Sequence, residues 1–541
     1  MDPNGGIICF ISNGAWLDGN SSNGLRKTLE KEFSSIYVFN LRGNQRTSGE
    51  LSRKEGGKIF GSGSRTPIAI TLLVKNPAVP TDRATIYYHD IGDYLSQSEK
   101  LKIVQDFGSV SNKEMSWRVL QPNKAGDWIS LRNDAFASFI PIDTEKKYNS
   151  KTQSFFITYS RGNASSADAW VYNSSLYKLK ENVQKTIAHY NEERVLIVGG
   201  EKSEPTRDFT KGNWTRDWLN FLKKNKAIVE NRNEYRIALY RPFCKVNSYF
   251  DDDLSQERYQ LTRLFPNPQL ENLVICVSGV GGNKENTSLI TKNLVDLNCL
   301  DAGTQCFPLY YYEENNPSQA GLFDTAAEEK YVRRDAISDY ILHRTHEQYG
   351  QSVTKEDIFY YVYGFLHSPA YRETFANDLK KMLPRLPLVA DAEDFWAFSR
   401  AGRALAELHL HYEQVPPCPS VRVTGAEAGH FRVQKMRFPK KDEKSTIHYN
   451  SHITLHDIPL EAYDYVVNGK SAIEWIMERY QVTTHKESQI TNDPNDWAEE
   501  VGNPRYILDL LLSIIEVSLQ TRAIVNGLPQ VDFGGEGNGE G

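Results

Sequence analysis

Chemistry needs particular residue types at particular spacings, and four groups in this chain of 541 residues come near to one. Two are glycine turns followed by lysine, Gly279-Val280-Gly281-Gly282-Asn283-Lys284 and Gly199-Gly200-Glu201-Lys202-Ser203. Neither has the GxxxxGK[ST] spacing whose backbone amides wrap a triphosphate, so both read as turns after buried strands. The third is His448, His452 and His456, spaced by four, which on a helix would share one face and suit a metal. The neighbouring Thr446-Ile447 and Ile453-Thr454 favour strands around an Asn450-Ser451 turn, where that spacing only puts side chains on one side. His409 and His411 make a weaker pair. The fourth group, Asp251-Asp252-Asp253, is an acidic run of the sort that is ordinarily solvated in a loop. There is no HExxH, GxSxG or CxxC, and the six cysteines are dispersed, so reduced buried thiols are expected rather than a zinc ribbon or a disulfide framework. No catalytic or metal-ligating residue is assigned to this chain.

Positive charge is local. The net charge is -6 and the sequence pI about 6.1, which argues against a uniformly basic coat for nucleic acid. Residues 1–75 nevertheless hold ten Lys/Arg against six Asp/Glu. Arg42, Arg46, Arg53, Lys54, Lys58 and Arg65 cluster there in a glycine-containing loop with Asn44, a plausible phosphate-contacting edge. Lys211-Gly212-Asn213-Trp214-Thr215-Arg216 and Lys223-Lys224-Asn225-Lys226 add cations, amides and an aromatic ring of the kind that meets phosphates and base edges.

The elements that must hold these groups are mixed α/β. An apolar run over 6–12, helical spacing over 25–33 and a strand over 35–39 form a β-α-β piece, followed by a polar loop and a strong strand over 67–74. The first run reads as a buried strand, so Met1 is expected to cut into a parallel sheet whose earlier strands lie upstream. Residues 91–193 read as a connecting region, with a helix over 96–107 and aromatic segments near Trp117, Trp128, Phe136 and Trp170. Short strands dominate 194–312, Val195-Leu196-Ile197-Val198 among them. Helical periodicity takes over at 328–348, 355–367, 369–382 and 392–412, broken by proline groups. A β stretch over 421–455 and helices over 471–480 and 504–525 precede a Gly/Glu tail from Phe533 that is expected to be disordered. No apolar run reaches the ~18 residues of a membrane span, and no leader precedes the first strand, so a cytoplasmic address is expected.

Two longer resemblances follow from these stretches. Phe60-Gly61-Ser62-Gly63 resembles the glycine loop of a methyltransferase that binds S-adenosylmethionine, but strand rather than helix follows it, so the glycines shape a hairpin. An Asn-Pro-Pro-aromatic tetrapeptide, needed to hold a flipped adenine, is absent; Val415-Pro416-Pro417-Cys418 lacks both the Asn and the aromatic. Residues 10–17 with Leu41-Arg42-Gly43-Asn44 and 56–67 resemble the last motifs of the methyltransferase domain in Type ISP restriction-modification enzymes. Tyr240-Arg241-Pro242-Phe243, the segment 359–372 and the segment 463–471 resemble the target recognition domain of the same family.

The resemblance implies an incomplete Rossmann-like methyltransferase sheet over 1–90, the connecting region 91–193, an α+β DNA target recognition domain with a helical C-terminal part over 194–532, and a tail over 533–541. It implies double-stranded DNA as partner, with Phe60 packing on a flipped base and Arg65 holding phosphate. Arg42, Asn44, Arg46, Lys58, Trp214 and Arg216 are the further contact candidates. S-adenosylmethionine is implied for a complete enzyme and is not expected to bind this chain alone, since nuclease, ATPase and cofactor loop would lie in a missing upstream portion. The expected function is sequence-specific DNA recognition. Adenine-N6 methylation after assembly with an upstream chain is the alternative, and a scaffold without nucleic acid is a third reading.

Overall fold

The computed structural model describes residues 4–47, 49–61, 64–79, 81–143, 153–315 and 330–533. Its first module is a five-stranded sheet. Strand β1 (Gly6–Asn13) leads through helix α1 (Asn23–Glu32) to β2 (Ser35–Arg42), and a short helix α2 (Gly49–Glu55) precedes β3 (Ile68–Lys75) and β4 (Thr85–Asp90). Helix α3 (Gln97–Phe107) and strand β5 (Arg118–Leu120) complete it, in the spatial order β1-β3-β2-β4-β5. The alternation that predicts strands is realised in β2 and β3, whose Ile36, Val38, Ala69 and Leu73 are buried against Leu17, Phe33 and Trp128 on one face. Phe39, Leu41, Ile59 and Ile68 pack toward α3 on the other.

The parallel sheet expected from the β-α-β pattern is a mixed one instead. Strands β1 and β2 run in the same direction, but β3 lies antiparallel between them, from Gly6↔Lys75 to Asn13↔Ile68 on one side. Only β2 and β4 are directly paired in parallel. Strand β1 lies at the edge of the sheet, and its apolar run, which reads as a buried strand, is left uncovered by the described residues, as an edge with nothing packed beyond it must be: Ile7 is 68% and Ile11 59% exposed. The region 91–193 does more than connect, since β5 belongs to the first sheet, α3 packs against it, and Phe136, Phe155, Trp170 and a 23-residue helix α4 (Leu176–Val198) join the core of the second module. Val195-Leu196-Ile197-Val198 is the last turn of that helix, not a strand. Leu179, Val183, Ile187 and Tyr190 form a helical buried stripe, and the β-branched end continues it while Val195 and Val198 stay exposed.

The second module has one continuous core. Helix α5 (Arg216–Lys223) packs near α4, and β6 (Tyr235–Arg241) pairs antiparallel with β7 (Cys244–Tyr249). Strand β8 (Val274–Val277) is central between β9 (Ser288–Thr291) and β10 (Gln305–Pro308), buried on both faces as its unbroken apolar run requires. A hairpin of β11 (Tyr310–Glu314) and β12 (Tyr331–Asp335) replaces the front of the helix expected over 328–348; the helix α6 (Asp339–Tyr349) begins after Ser338 caps it. Helices α7 (Lys355–Phe365) and α8 (Ala392–Leu410) cross with Gly364 and Gly402 in the contact. A small sheet of β13 (Arg422–Thr424), β14 (Ile447–His448) and β15 (Thr454–His456) follows, then α9 (Ala472–Arg479) and α10 (Tyr506–Asn526). Phe533 is not part of a loose tail: it packs on Phe139, Phe365, Tyr371 and Phe375. The rest of the expected tail, 534–541, lies outside the described residues. No helix among the described residues is long and apolar enough to cross a membrane.

The modules are joined by buried charge. Lys381 places Nζ 3.0 Å from Asp127 and 3.2 Å from Asp18, and donates to the Ser130 carbonyl. Asp127 also accepts from Arg132 and Asn123, with the fully buried Arg26 at 3.9 Å. Beside it, the Asp378 carboxylate accepts the Asn133 amide.

Candidate nucleic-acid interface

The loop between β2 and β3 is shaped by glycine and by one buried lysine. Gly56 has φ +67, and a Cβ there would stand 2.2 Å from the Leu95 carbonyl; at Gly57 it would stand 2.4 Å from the Gln97 amide. The chain can therefore press against the start of α3 only with glycine at both places. Lys100, fully buried, donates to the carbonyls of Glu55 at 2.6 Å and Gly57 at 2.9 Å, and burial pushes its pKa down despite nearby Glu55. Gln97 fixes the exit through the Ile59 carbonyl.

This scaffold divides the predicted contact residues. Arg42, at φ 54, turns inward to Asp90 at 2.7 Å and to Asp93, so its charge is spent on the protein. Burial opposes its charged form, and the two carboxylates outweigh that and raise its pKa. Asn44 donates its amide to Glu55, and its Oδ1 accepts from the Arg46 amide. Arg46 and Arg65 are exposed and Lys58 is half-buried; none has an acidic partner within ion-pair distance among the described residues. Among the described residues, the Arg65 guanidinium reaches the Gln45 carbonyl, at 3.2 Å, and no carboxylate. Phe60 is 47% exposed beside the buried Ile59, on the loop surface rather than beneath it.

A second wall comes from the other module. The Asn44 Nδ2 lies 3.5 Å from Asn283 Oδ1, in the turn after β8. That turn is not a phosphate loop, because Asp301 already accepts the amides of Asn283 and Lys284, at 2.7 and 3.0 Å. What it presents is Lys284, which with Lys470 and Arg479 surrounds the Trp475 ring at 5.9, 4.9 and 5.4 Å. Glu478 pairs with Lys470 and Arg479, leaving Lys284 without an ion pair among the described residues. Burial lowers the Lys284 pKa, opposed by Asp301. The reading of the sequence missed this group; its members are far apart in the chain and no local pattern marks them.

Other predicted groups lie elsewhere. Trp214 donates its indole N–H to the Thr206 carbonyl and packs with His189, Tyr190 and Trp218 against α4. Arg216 is exposed in the first turn of α5, 3.5 Å from Asp217. The aspartate run is paired rather than merely solvated: Asp252 meets Arg258, Asp253 meets Lys226, and Asp251 accepts the Asp253 amide. Gly199 and Gly200 end α4, and the amides from Gly199 to Lys202 are already donated to the carbonyls of Val195, Leu196 and Ile197, so this turn closes a helix and does not follow the strand expected. His448 and His456 each lie 3.2 Å from a threonine hydroxyl, while the His452 ring lies tilted against His430. Among the described residues no three His, Cys, Asp or Glu side chains are gathered as a metal would need.

The family model of the Type ISP C-terminal specificity domain matches residues 154–510. Among solved structures, a nuclease-deletion mutant of the Type ISP restriction-modification enzyme LlaGI in complex with a DNA substrate mimic is 38% identical, with a TM-score of 0.85 over 97% of this chain and 46% of that one. The ATP-dependent Type ISP restriction-modification enzyme LlaBIII bound to DNA is 34% identical, with a TM-score of 0.87 over 98% of this chain and 33% of that one. A DrdV–DNA complex is 29% identical, with a TM-score of 0.83 over 97% of this chain and 51% of that one. The chain thus spans about half or less of the length of these relatives. A search of curated protein sequences gave no match.

Proposed function

Because the chain belongs to the Type ISP family through its C-terminal specificity domain, we propose that it recognises a sequence in double-stranded DNA within a restriction-modification enzyme. The observation that carries this is the meeting of two walls at Asn44 and Asn283: Arg46, Lys58 and Arg65 share the glycine loop with the exposed Phe60, Lys284 stands on the facing turn, and none of the four has an acidic partner within ion-pair distance among the described residues. Phosphate contacts by free cations position a duplex and make its binding salt-dependent. Replacing Lys58 and Arg65 together by Ala should weaken duplex binding by the full chain and reduce the slope of log affinity against log salt by about 2. Wild-type affinity and slope in that variant would reject the assignment.

A second reading is supported by the exposed edge of β1, whose Ile7, Ile8 and Ile11 offer a row on which a further strand can pair. On this reading the module completes a Rossmann-like sheet with another portion of polypeptide, and that portion binds S-adenosylmethionine and supplies the groups that methylate adenine N6. This chain contributes Phe60 to hold the extruded base and Arg65 to hold a phosphate. In the assembled enzyme Phe60→Ala should then lower methyl transfer without changing the melting of this chain; unchanged transfer would remove Phe60 from the role.

A further inference from the structure

A groove of about 1000 Å³ lies in the second module between segment 429–437 and the turn 448–452. Its mark in the sequence is charge: from Glu427 to Asp442 the chain has Arg432, Lys435, Arg437, Lys440 and Lys441 with no acid between. The first three line the groove. Arg432 is neutralised by Asp493 and by Glu499 at 3.6 Å. Lys435 and Arg437 are exposed and have no acidic partner within ion-pair distance among the described residues. The rings of His430 and His452 lie tilted against each other, 4.6 Å between centroids, on the same surface.

The groove is rigidly built before anything enters it. Asn450 donates Nδ2 to the carbonyls of His430 and Arg432, at 2.7 and 3.0 Å, and accepts the amides of His452 and Ile453 on Oδ1, both at 2.8 Å. One side chain thus ties the two rims together. Asn495, buried, exchanges hydrogen bonds of 2.8 Å with both backbone groups of Val433 and fixes the floor. At Gly425, φ +80, a Cβ would stand 2.0 Å from the His452 carbonyl, so the turn closes only over glycine. The backbone that carries these cations is therefore already ordered, and only their side chains have freedom to lose when a partner arrives.

We propose that this groove is a second backbone-contact surface for duplex DNA, in which Lys435 and Arg437 each neutralise a phosphate while Arg432, locked to its carboxylates, forms the wall. The inference rests on the DNA-recognition reading above and gives it a second place of contact. Charge complementarity selects the occupant: in a chain of net charge -6, a preformed concave surface that keeps two uncompensated cations suits a polyanion. A lone small anion would occupy only part of a groove of this size.

The test uses the full chain and a fluorescent random-sequence DNA duplex titrated at several salt concentrations. The variant K435A/R437A should bind about tenfold more weakly and show a salt slope smaller by about 2, while K435R/R437K keeps the wild-type slope. Both side chains are exposed, so thermal melting should be unchanged in either variant. Wild-type chain that binds while K435A/R437A binds equally well with the same slope overturns the groove alone. A wild-type chain that retains no duplex at low salt overturns the groove and the DNA-recognition reading together. Preference for an RNA duplex of the same sequence over DNA also overturns the groove assignment.

Discussion

Arg42, at the end of β2, and Arg65, in the loop that follows, end in opposite electrostatic states. Arg42 is consumed by Asp90 and Asp93, while Arg65 meets a carbonyl and, among the described residues, no carboxylate. A run of basic residues in sequence therefore overstates the charge available to a ligand, because ion pairs with distant residues are invisible in it. Trp214 makes the same point for aromatic rings. Next to Lys211 and Arg216 it reads as a base-stacking residue, yet its N–H is bonded to Thr206 and its ring is wedged among Tyr190 and Trp218. Trp214→Ala should cost about 2 kcal/mol of stability, below the ~3–5 kcal/mol of a fully buried large aromatic because the ring is only partly buried, and leave duplex affinity per folded molecule unchanged. Urea unfolding followed by fluorescence from the remaining tryptophans, paired with the duplex titration, checks both parts. An unaltered midpoint with lost binding would return Trp214 to the interface. Lys58 and Arg65 were legible because their charge is both local and uncompensated. The Lys284–Trp475 group was not, since it exists only once α9 docks beside the turn after β8. The groove cations Lys435 and Arg437 had a plain signal, an acid-free basic run, that a search for aromatic and glycine neighbours passes over.

At the scale of elements, periodicity located most helices of the second module to within a few residues, because α7, α8 and α10 bury whole stripes or whole surfaces in one core. It failed at Val195–Val198, where residue type alone favours strand and only the preceding stripe on α4 says otherwise. It failed again at 331–335, where the hairpin partner β11 sits across residues whose contacts no local pattern reveals. The crossing of α7 and α8 shows what such patterns omit. A Cβ at Gly364 would meet the Phe398 carbonyl at 2.2 Å, and one at Gly402 the Tyr360 carbonyl at 1.9 Å, so each helix presses its backbone on the other. Gly402 in mid-helix looks like a weak point by propensity, and alanine there would ordinarily stabilise. Here Gly402→Ala should instead destabilise by about 3 kcal/mol or more, since neither helix can withdraw from a fully buried contact. A shift of the urea midpoint to higher concentration would show that the helices separate freely and that the close approach is not required.

At the scale of the molecule, the two modules are held by charges that water does not reach, and this gives their docking a pH dependence of definite sign. Asp378 sits 2% exposed at the join, and burial, opposed by its bond from the Asn133 amide, raises its pKa to about 6. Asp127 is pulled the other way: burial disfavours its charge, but Arg132, Asn123 and Lys381 together hold it well below the usual carboxylate range. For Asp378 the folded state keeps a proton that the unfolded chain releases near pH 4, so stability falls as pH rises from about 4 to 6 and the full penalty remains above that. For Asp127 the stabilisation is present above about pH 4 and is lost as pH falls toward its depressed folded value. The replacement Asp378→Asn keeps an oxygen for the Asn133 amide and removes only the titration. It should therefore gain stability relative to wild type at pH 7, and that gain should shrink by about 2 kcal/mol at pH 4.5. Urea unfolding of the full chain at the two pH values measures it. A gain that is the same at both would mean that Asp378 is ionised throughout the folded range, and that the join between the modules is wetter than its burial indicates.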